Sequence, residues 1–406
     1  MNRDFSYAPD QDSANPFGSV MYLMAKPAGA ACNLACEYCY YLEKGTPGTR
    51  QIMDDATLEE FTRQYIEAQT VGDVMFTWHG GEALLRPIAF YEKALEYQRK
   101  YAGGRRISNC IQTNGTLLTE QWCRFLRANN WLVGISIDGP ERFHDEYRRD
   151  RGEKPTFQSV MRGIRMLQRY GVEWNAMAVV NDYNVEYPLE FYRFFKEIGC
   201  RYLQFTPIVE RRKADGRLAS VNEPGTLTEH SISPEQWGEF LCAIYDEWVR
   251  SDVGSTFVQI FDATLAGWVG QMPGVCTMAP ICGHAGVVEH NGDVYSCDHF
   301  VFPQYKLGNI HERTIIDMMY DSRQSAFGAA KRGSLPTQCR QCAYTHVCNG
   351  ECPKNRFATT SSGEPGLNYL CEGYRRFFDH VTSDMNFMAA QLKAGRAPAE
   401  VMSLHR

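Results

Sequence analysis

The sequence predicts an α/β protein: a partial barrel of parallel strands over the N-terminal two thirds, then an irregular cysteine-rich domain. Two observations carry the barrel. Short β-rich apolar runs recur as far as about residue 235, and stretches of helical length separate them. Alternation on this scale implies parallel strands joined by helical crossovers. A third observation sets the boundary, because from Pro273 the pattern gives way to Gly-rich and Cys-rich sequence.

The six strand candidates are VMYLMAK from Val20, DVMFTW from Asp73, ISNCIQTN from Ile107, LVGISID from Leu132, WNAMAVV from Trp174 and RYLQFT from Arg201. Between them lie ATLEEFTRQYIEAQ, FYEKALEYQRKY, EQWCRFLRANN, FQSVMRGIRMLQRY and PLEFYRFFKEIG, several entered after Asp, Thr or Pro and left at Gly. A helix, PEQWGEFLCAIYDEWV, follows Ser233. The chain therefore divides into an extension over 1–20, the barrel over 21–235, a linking helix and connector over 236–272, the cysteine-rich domain over 273–387 and a tail over 388–406. The polar insertion ERRKADGRLASVNEPGTLTEH, after the sixth strand, reads as a surface excursion or as the border of a substrate groove.

Composition excludes several classes. With 44% hydrophobic residues and no apolar run of 18, this is a chain with a large core and no membrane span. Lys plus Arg at 42 against Asp plus Glu at 48 gives −6, too balanced for a protein that binds nucleic acid mainly through its phosphates. The N-terminus lacks the apolar region of a secretory signal, so the expected compartment is the cytoplasm. There, fifteen cysteines point to metal ligation and away from disulfides.

Cys110, Cys123, Cys200 and Cys242 are scattered among apolar neighbours and read as small buried hydrophobes. The rest are grouped. Cys32, Cys36 and Cys39 form CxxxCxxC just after the first strand, where parallel barrels place their chemistry. Three thiolates on a short loop leave one iron of a four-iron cubane open to a small molecule, whereas structural zinc demands a fourth ligand. Cys276, Cys282, Cys297, Cys339, Cys342, Cys348, Cys352 and Cys371 number eight, two complete sets of four. Two zinc sites are the competing reading of these eight. Cys297 closes a hairpin, VVEHNGDVYSCD, in which Asn291-Gly292 signals a type I′ turn.

CxxxCxYC resembles the signature of the radical S-adenosylmethionine superfamily, whose core is a partial, TIM-like (β/α)6 barrel. The resemblance implies that Cys32, Cys36 and Cys39 hold a [4Fe–4S] cluster whose open iron is chelated by S-adenosylmethionine, and that Tyr38 lies beside that cofactor. HGGE after the second strand resembles the segment that binds the cofactor's amino group, implicating Gly80, Gly81 and Glu82; the glycines let backbone approach a ligand closely. By the same likeness Ser136 is a cofactor contact, Arg148 pairs with the cofactor carboxylate and Val209 meets adenine. Read alone, Ser136 would cap a helix and Arg148 would be solvated.

The run CxxCxxxxxCxxxC from Cys339 resembles the SPASM domain, which binds two auxiliary iron–sulfur clusters. That likeness assigns Cys276, Cys282, Cys297 and Cys352 to one [4Fe–4S] cluster and Cys339, Cys342, Cys348 and Cys371 to the other, three clusters in all. From about Met21 to about Phe387 the chain resembles the anaerobic sulfatase-maturating enzymes, through KPAGAACNLACEYCYY, HGGE, QTNGTLLT, SIDGP, NGDVYSCD, LGNI and LNYLC. The implied reaction is oxidation of a Cys or Ser in an unfolded or nascent sulfatase, within a CxPxR or SxPxR motif, to Cα-formylglycine. An electron donor such as flavodoxin or ferredoxin is implied too. Asp298 resembles the base that deprotonates the substrate side chain; His299 competes for that role with a more suitable ordinary pKa. His79 stands where some members have Gln near the peptide, and Ala83 replaces a frequent Pro. Tyr41 would hydrogen-bond to Asp298 or the substrate, or simply pack. Thioether crosslinking of another ribosomal peptide is the alternative activity.

Overall fold

A computed structural model describes residues 20–41, 43, 52–220 and 223–405. The expected extension over 1–20 lies outside these residues except for Val20. Six parallel strands form in chain order, β1 (Tyr22–Lys26), β2 (Asp73–Trp78), β3 (Arg106–Thr113), β4 (Leu132–Ser136), β5 (Trp174–Val180) and β6 (Tyr202–Pro207), each paired with the next. Helices α1 (Asp55–Glu67), α2 (Ile88–Tyr101), α3 (Glu120–Ala128), α4 (Glu141–Tyr147), α5 (Phe157–Tyr170) and α6 (Pro188–Glu197) lie between them. Local chemistry sets their limits. Asp54 and Thr119 accept from backbone N–H groups at the starts of α1 and α3, and Gly171 ends α5 in the left-handed conformation. The short α4 was not foreseen.

A hairpin of two-residue strands, β7 (Arg211–Arg212) and β8 (Thr226–Leu227), rises from the polar insertion. Helix α7 (Pro234–Ser251) follows, opened by a reciprocal Ser233–Gln236 capping box. Then come β9 (Phe257–Val258) and helix α8 (Gln259–Trp268).

The sheet is wider than six strands. β9 pairs with β6, and at the other edge β10 (Ala285–Glu289) runs parallel to β1 in full register from Tyr22 opposite Ala285 to Lys26 opposite Glu289. β11 (Asp293–Tyr295) and β12 (Lys306–Asn309) extend it antiparallel to ten strands, ordered β12-β11-β10-β1-β2-β3-β4-β5-β6-β9. The cysteine-rich segment thus continues the barrel wall. Its β10–β11 turn departs from the expected type I′, which requires positive φ at both central residues. Only Gly292 has positive φ (+85°), in a three-residue loop where Gly292 N donates to Glu289 O at 2.9 Å. Asn291 accepts from Asp293 N through its side chain, at 3.1 Å.

Candidate active site at the barrel mouth

Past Lys26 the chain turns through 27–31 into the loop bearing Cys32, Cys36 and Cys39. Backbone contacts with the segment after α4 hold this loop: Ala35 N donates to Arg149 O (2.8 Å), Glu37 N to Tyr147 O (3.2 Å), and Leu34 bridges Asp150. Asn33 bonds Thr116 and Asn114, from the QTNGT segment after β3. Burial pushes the Cys32 and Cys36 thiols up to about 11 and about 12, and the nearby Cys39 adds to both. The three thiols lie close enough to interact electrostatically.

Gly80 and Gly81 serve that loop directly. A Cβ on Gly81 would stand 2.2 Å from Ala31 O and one on Gly80 2.9 Å from Gly29 O, and Gly81 N donates to Gly29 O at 2.7 Å. The close approach expected toward a ligand is made to the cysteine loop itself. Glu82 is fully buried, and its carboxylate accepts from Leu84 N (2.8 Å), Thr113 Oγ1 (2.7 Å) and Asn114 N (2.8 Å), clamping the ends of β2 and β3 together.

Tyr38 donates to Asp138, which also pairs with Arg148 at 2.7 Å. Both members of that pair are buried, so Arg148 is held by a carboxylate from the end of β4 and is not solvated. Ser136 Oγ accepts from Gln112 Nε2 (2.9 Å), and the buried Val209 carries a carbonyl that accepts from Lys354 Nζ (2.8 Å).

Asp298 forms the centre of a second constellation. The fully buried Lys26 pairs with it, and Tyr40 OH donates to Oδ2 at 2.6 Å. Burial alone would raise the Asp298 carboxyl, but Lys26, with His299 and His79 beyond it, holds it well below the carboxylate range. Lys26 carries most of this, because burial pushes both imidazoles down, toward their neutral forms. His79 Nδ1 accepts from Gly80 N at 2.7 Å, which places the ring proton on Nε2. The His299 ring lies against Tyr40, centroids 5.1 Å apart. Tyr41 does not reach Asp298: its hydroxyl donates to Glu289, with the Lys26 ammonium 3.3 Å above its ring. The tyrosine on the carboxylate is its neighbour, Tyr40.

Next to Asp298, Cys297 is pushed well up by burial and by Cys352, Cys276 and Cys282. Cys348 rises to about 12 through burial and then Cys371, and Cys371 to about 11 through burial and then Cys339 and Cys342. Cys339, Cys342, Cys348 and Cys371 together line a cavity of about 340 Å³. The eight cysteines therefore fall into two groups of four. Thiols that repel one another in buried groups fit a shared polynuclear cation, and the three-plus-four-plus-four division fits iron–sulfur clusters.

Beside the cysteine loop opens a cavity of about 870 Å³, lined by Glu37, Tyr38, Cys39 and Tyr40 on one side and by the β7–β8 insertion, from Glu210 to His230, on the other. The insertion borders a groove. Lys26, Tyr40, Glu289 and Asp138 are the site residues not assigned from sequence. A lysine closing an apolar strand run was the available signal for the first; the tyrosine pairings depend on β10 docking, which leaves no local mark.

This open barrel with its added cysteine-rich domain defines a radical S-adenosylmethionine oxidoreductase that carries further iron–sulfur centres. Residues 27–195 match the Radical SAM superfamily, and residues 282–343 match an iron–sulfur cluster-binding domain. A serine-type anaerobic sulfatase-maturating enzyme from Bacteroides thetaiotaomicron is 62% identical over 95% of either chain, and one from Klebsiella aerogenes is 36% identical over 93% of this chain and 89% of its own. A solved structure described as native anSMEcpe with bound AdoMet and Cp18Cys peptide is 31% identical, with a TM-score of 0.81 over 91% of this chain and 99% of that one. The chain belongs to the anaerobic sulfatase-maturating enzymes.

Proposed function

We propose that this enzyme oxidises the serine of an SxPxR motif in an unfolded sulfatase chain to Cα-formylglycine, with Asp298 as the base. The observation that carries the reading is the Tyr40–Asp298 bond, which joins the loop of the three-cysteine motif to the carboxylate beside Cys297 at one wall of the site. Serine is favoured because the relative at 62% identity is serine-type.

Cys32, Cys36 and Cys39 would hold the first cluster, and the two groups of four would hold the auxiliary ones. When bound, the first cluster with S-adenosylmethionine supplies the adenosyl radical that takes a hydrogen atom from the substrate Cβ, and the auxiliary clusters supply an acceptor for the remaining electron. Asp298 takes the proton from Oγ, so that the side chain loses two hydrogens in all and becomes an aldehyde. Lys26 keeps the carboxylate ionised and Tyr40 fixes its direction. Tyr38, Arg148, Ser136 and Val209, with the backbone of Gly80 and Gly81, would line the cofactor, and Glu82 would brace that wall. The groove beneath the β7–β8 insertion would admit an extended peptide, with His79 directing an N–H donor to its reacting side chain. A small acidic one-electron carrier, flavodoxin or ferredoxin, would supply reducing equivalents in the cytoplasm. Among the described residues no helix is long and apolar enough to cross a membrane.

Anaerobically reconstituted enzyme, given S-adenosylmethionine, reductant and an SxPxR peptide, should yield an aldehyde product two mass units lighter than the peptide. Turnover of the cofactor without that product would reject the substrate assignment.

A further inference from the structure

Lys331 stands in the last turn of the helix Ser322–Gly333 and is fully buried. Its ammonium donates to the carbonyls of Cys276 (2.6 Å) and Thr277 (2.7 Å). Neither is charged. The groups that face it are the thiols of Cys282, Cys276 and Cys352, anionic once they ligate, and the carboxylate of Glu351. Glu351 is also buried and is held by amides, accepting from Asn368 Nδ2 at 2.7 Å and Asn355 Nδ2 at 3.3 Å. Among the described residues neither Lys331 nor Glu351 closes an ion pair within 4.0 Å. Two opposite charges have thus been taken out of water beside one group of cysteines without neutralising each other directly. Burying a charge is costly unless it finds a compensating partner, and thiolates ligating a cluster would supply one to Lys331.

We infer that Lys331 and Glu351 are positioning charges that set the reduction potential of the cluster held by Cys276, Cys282, Cys297 and Cys352. The inference rests on those four thiols holding a cluster. One-electron reduction adds a negative charge to such a centre, so a fixed cation in a low-dielectric surround stabilises the reduced form and a fixed anion opposes it. The two approach it through different ligands: Lys331 bonds the backbone of Cys276 and Thr277, whereas Glu351 directly precedes Cys352 and is held by Asn355 and Asn368. Cys297 neighbours Asp298, so the tuned centre is the one next to the reacting side chain. A raised potential there favours accepting an electron from substrate.

Anaerobic redox titration of the reconstituted holoenzyme, followed by electron paramagnetic resonance, tests this. In Lys331→Met one reduction wave should shift about tenfold toward the oxidised form at fixed potential, equivalent to 59 mV for one electron. In Glu351→Gln the same wave should move in the opposite direction. A wave that moves less than about twofold in an iron-replete Lys331→Met, or moves the same way in both variants, overturns the inference. If Lys331→Met loses iron, Glu351→Gln decides alone: a wave that stays or falls overturns it. These potentials are read without peptide, so failure here is separable from failure to form formylglycine.

Discussion

Replacing Lys26 by Met removes the ammonium from Asp298 while keeping a side chain of similar length in the core. The wild-type lysine is 1% exposed and the carboxylate 18%, so solvent screens their attraction little. An opposite charge this close commonly lowers a carboxyl pKa by about 1–3 units, which at about 1.4 kcal/mol per unit makes the pair worth ~1.4–4 kcal/mol. Without Lys26, burial would be opposed only by the Tyr40 hydroxyl and by two imidazoles that are themselves pushed toward neutrality, and the Asp298 carboxyl would rise. In the wild type Asp298 stays ionised at every pH above its depressed value, so it imposes no acid limb on product formation near neutrality. Lys26→Met should acquire one: its rate would fall as pH drops from about 7 toward about 5 and recover toward pH 8. Single-turnover formation of formylglycine, followed by mass spectrometry at saturating peptide and S-adenosylmethionine, measures this directly. Superimposable wild-type and Lys26→Met profiles would refute the argument that Lys26 keeps the base ionised.

Three other outcomes are expected. Asp298→Asn should lower formylglycine yield by about 10²-fold or more while 5′-deoxyadenosine still forms, since the base acts on substrate and not on the cofactor; an unchanged yield assigns the proton to another group, with His299 the first candidate. His144 is buried, accepts from Asp138 N and lies 3.1 Å from Thr156 Oγ1, and burial lowers its pKa to about 3. An unfolded imidazole binds its proton near pH 6.5, so acidification favours the unfolded chain: stability falls as pH drops below about 6.5 until the native ring also titrates, by ~2 kcal/mol at pH 5. The stability difference between wild type and His144→Gln, from denaturant midpoints, should change by that amount between pH 7 and 5, and a constant difference would contradict it. On the proposed assignment of three cubanes, Cys371→Ala should remove roughly four of about twelve irons, and full iron retention would exclude Cys371 as a ligand.

Elements with a short period were readable in the sequence; contacts between distant segments were not. The starts of β2 and β5 and both ends of α5 coincide with their apolar runs because period and caps are local properties. β9, two residues long, carries no period of its own and exists only because β6 offers an edge. Cys297 and Asp298 follow a hairpin readable in the sequence, but the roles expected of them came from the family resemblance. Lys26 and Tyr40 were not assigned, because their roles depend on a carboxylate more than 250 residues away. The Glu82 clamp was obscured by its motif: a carboxylate after two glycines suggests a ligand, whereas three donors from its own and the next strand's end already occupy it.

The docking of β10 on β1 explains how the carboxylate proposed as the base, from the second domain, can be placed with the precision of a barrel strand. Five consecutive residue pairs, ending at Lys26 opposite Glu289, fix the relative height of the two strand ends. A slip of one residue would turn Glu289 to the other face of the sheet. Glu289 accepts from Tyr41, and the adjacent Tyr40 donates to Asp298, so the end of the cysteine loop is bonded twice to the second domain. Lys26 completes the link: it closes β1, covers the Tyr41 ring and pairs with Asp298. The cofactor loop and the base thus share one rigid edge, and their separation is set by strand register. Domain motion that opened this edge would break the Lys26–Asp298 pair and forfeit its attraction of ~1.4–4 kcal/mol. That penalty opposes opening along this seam, whereas the two-residue strands of β7 and β8 offer little resistance of their own, so peptide entry is expected beneath the insertion.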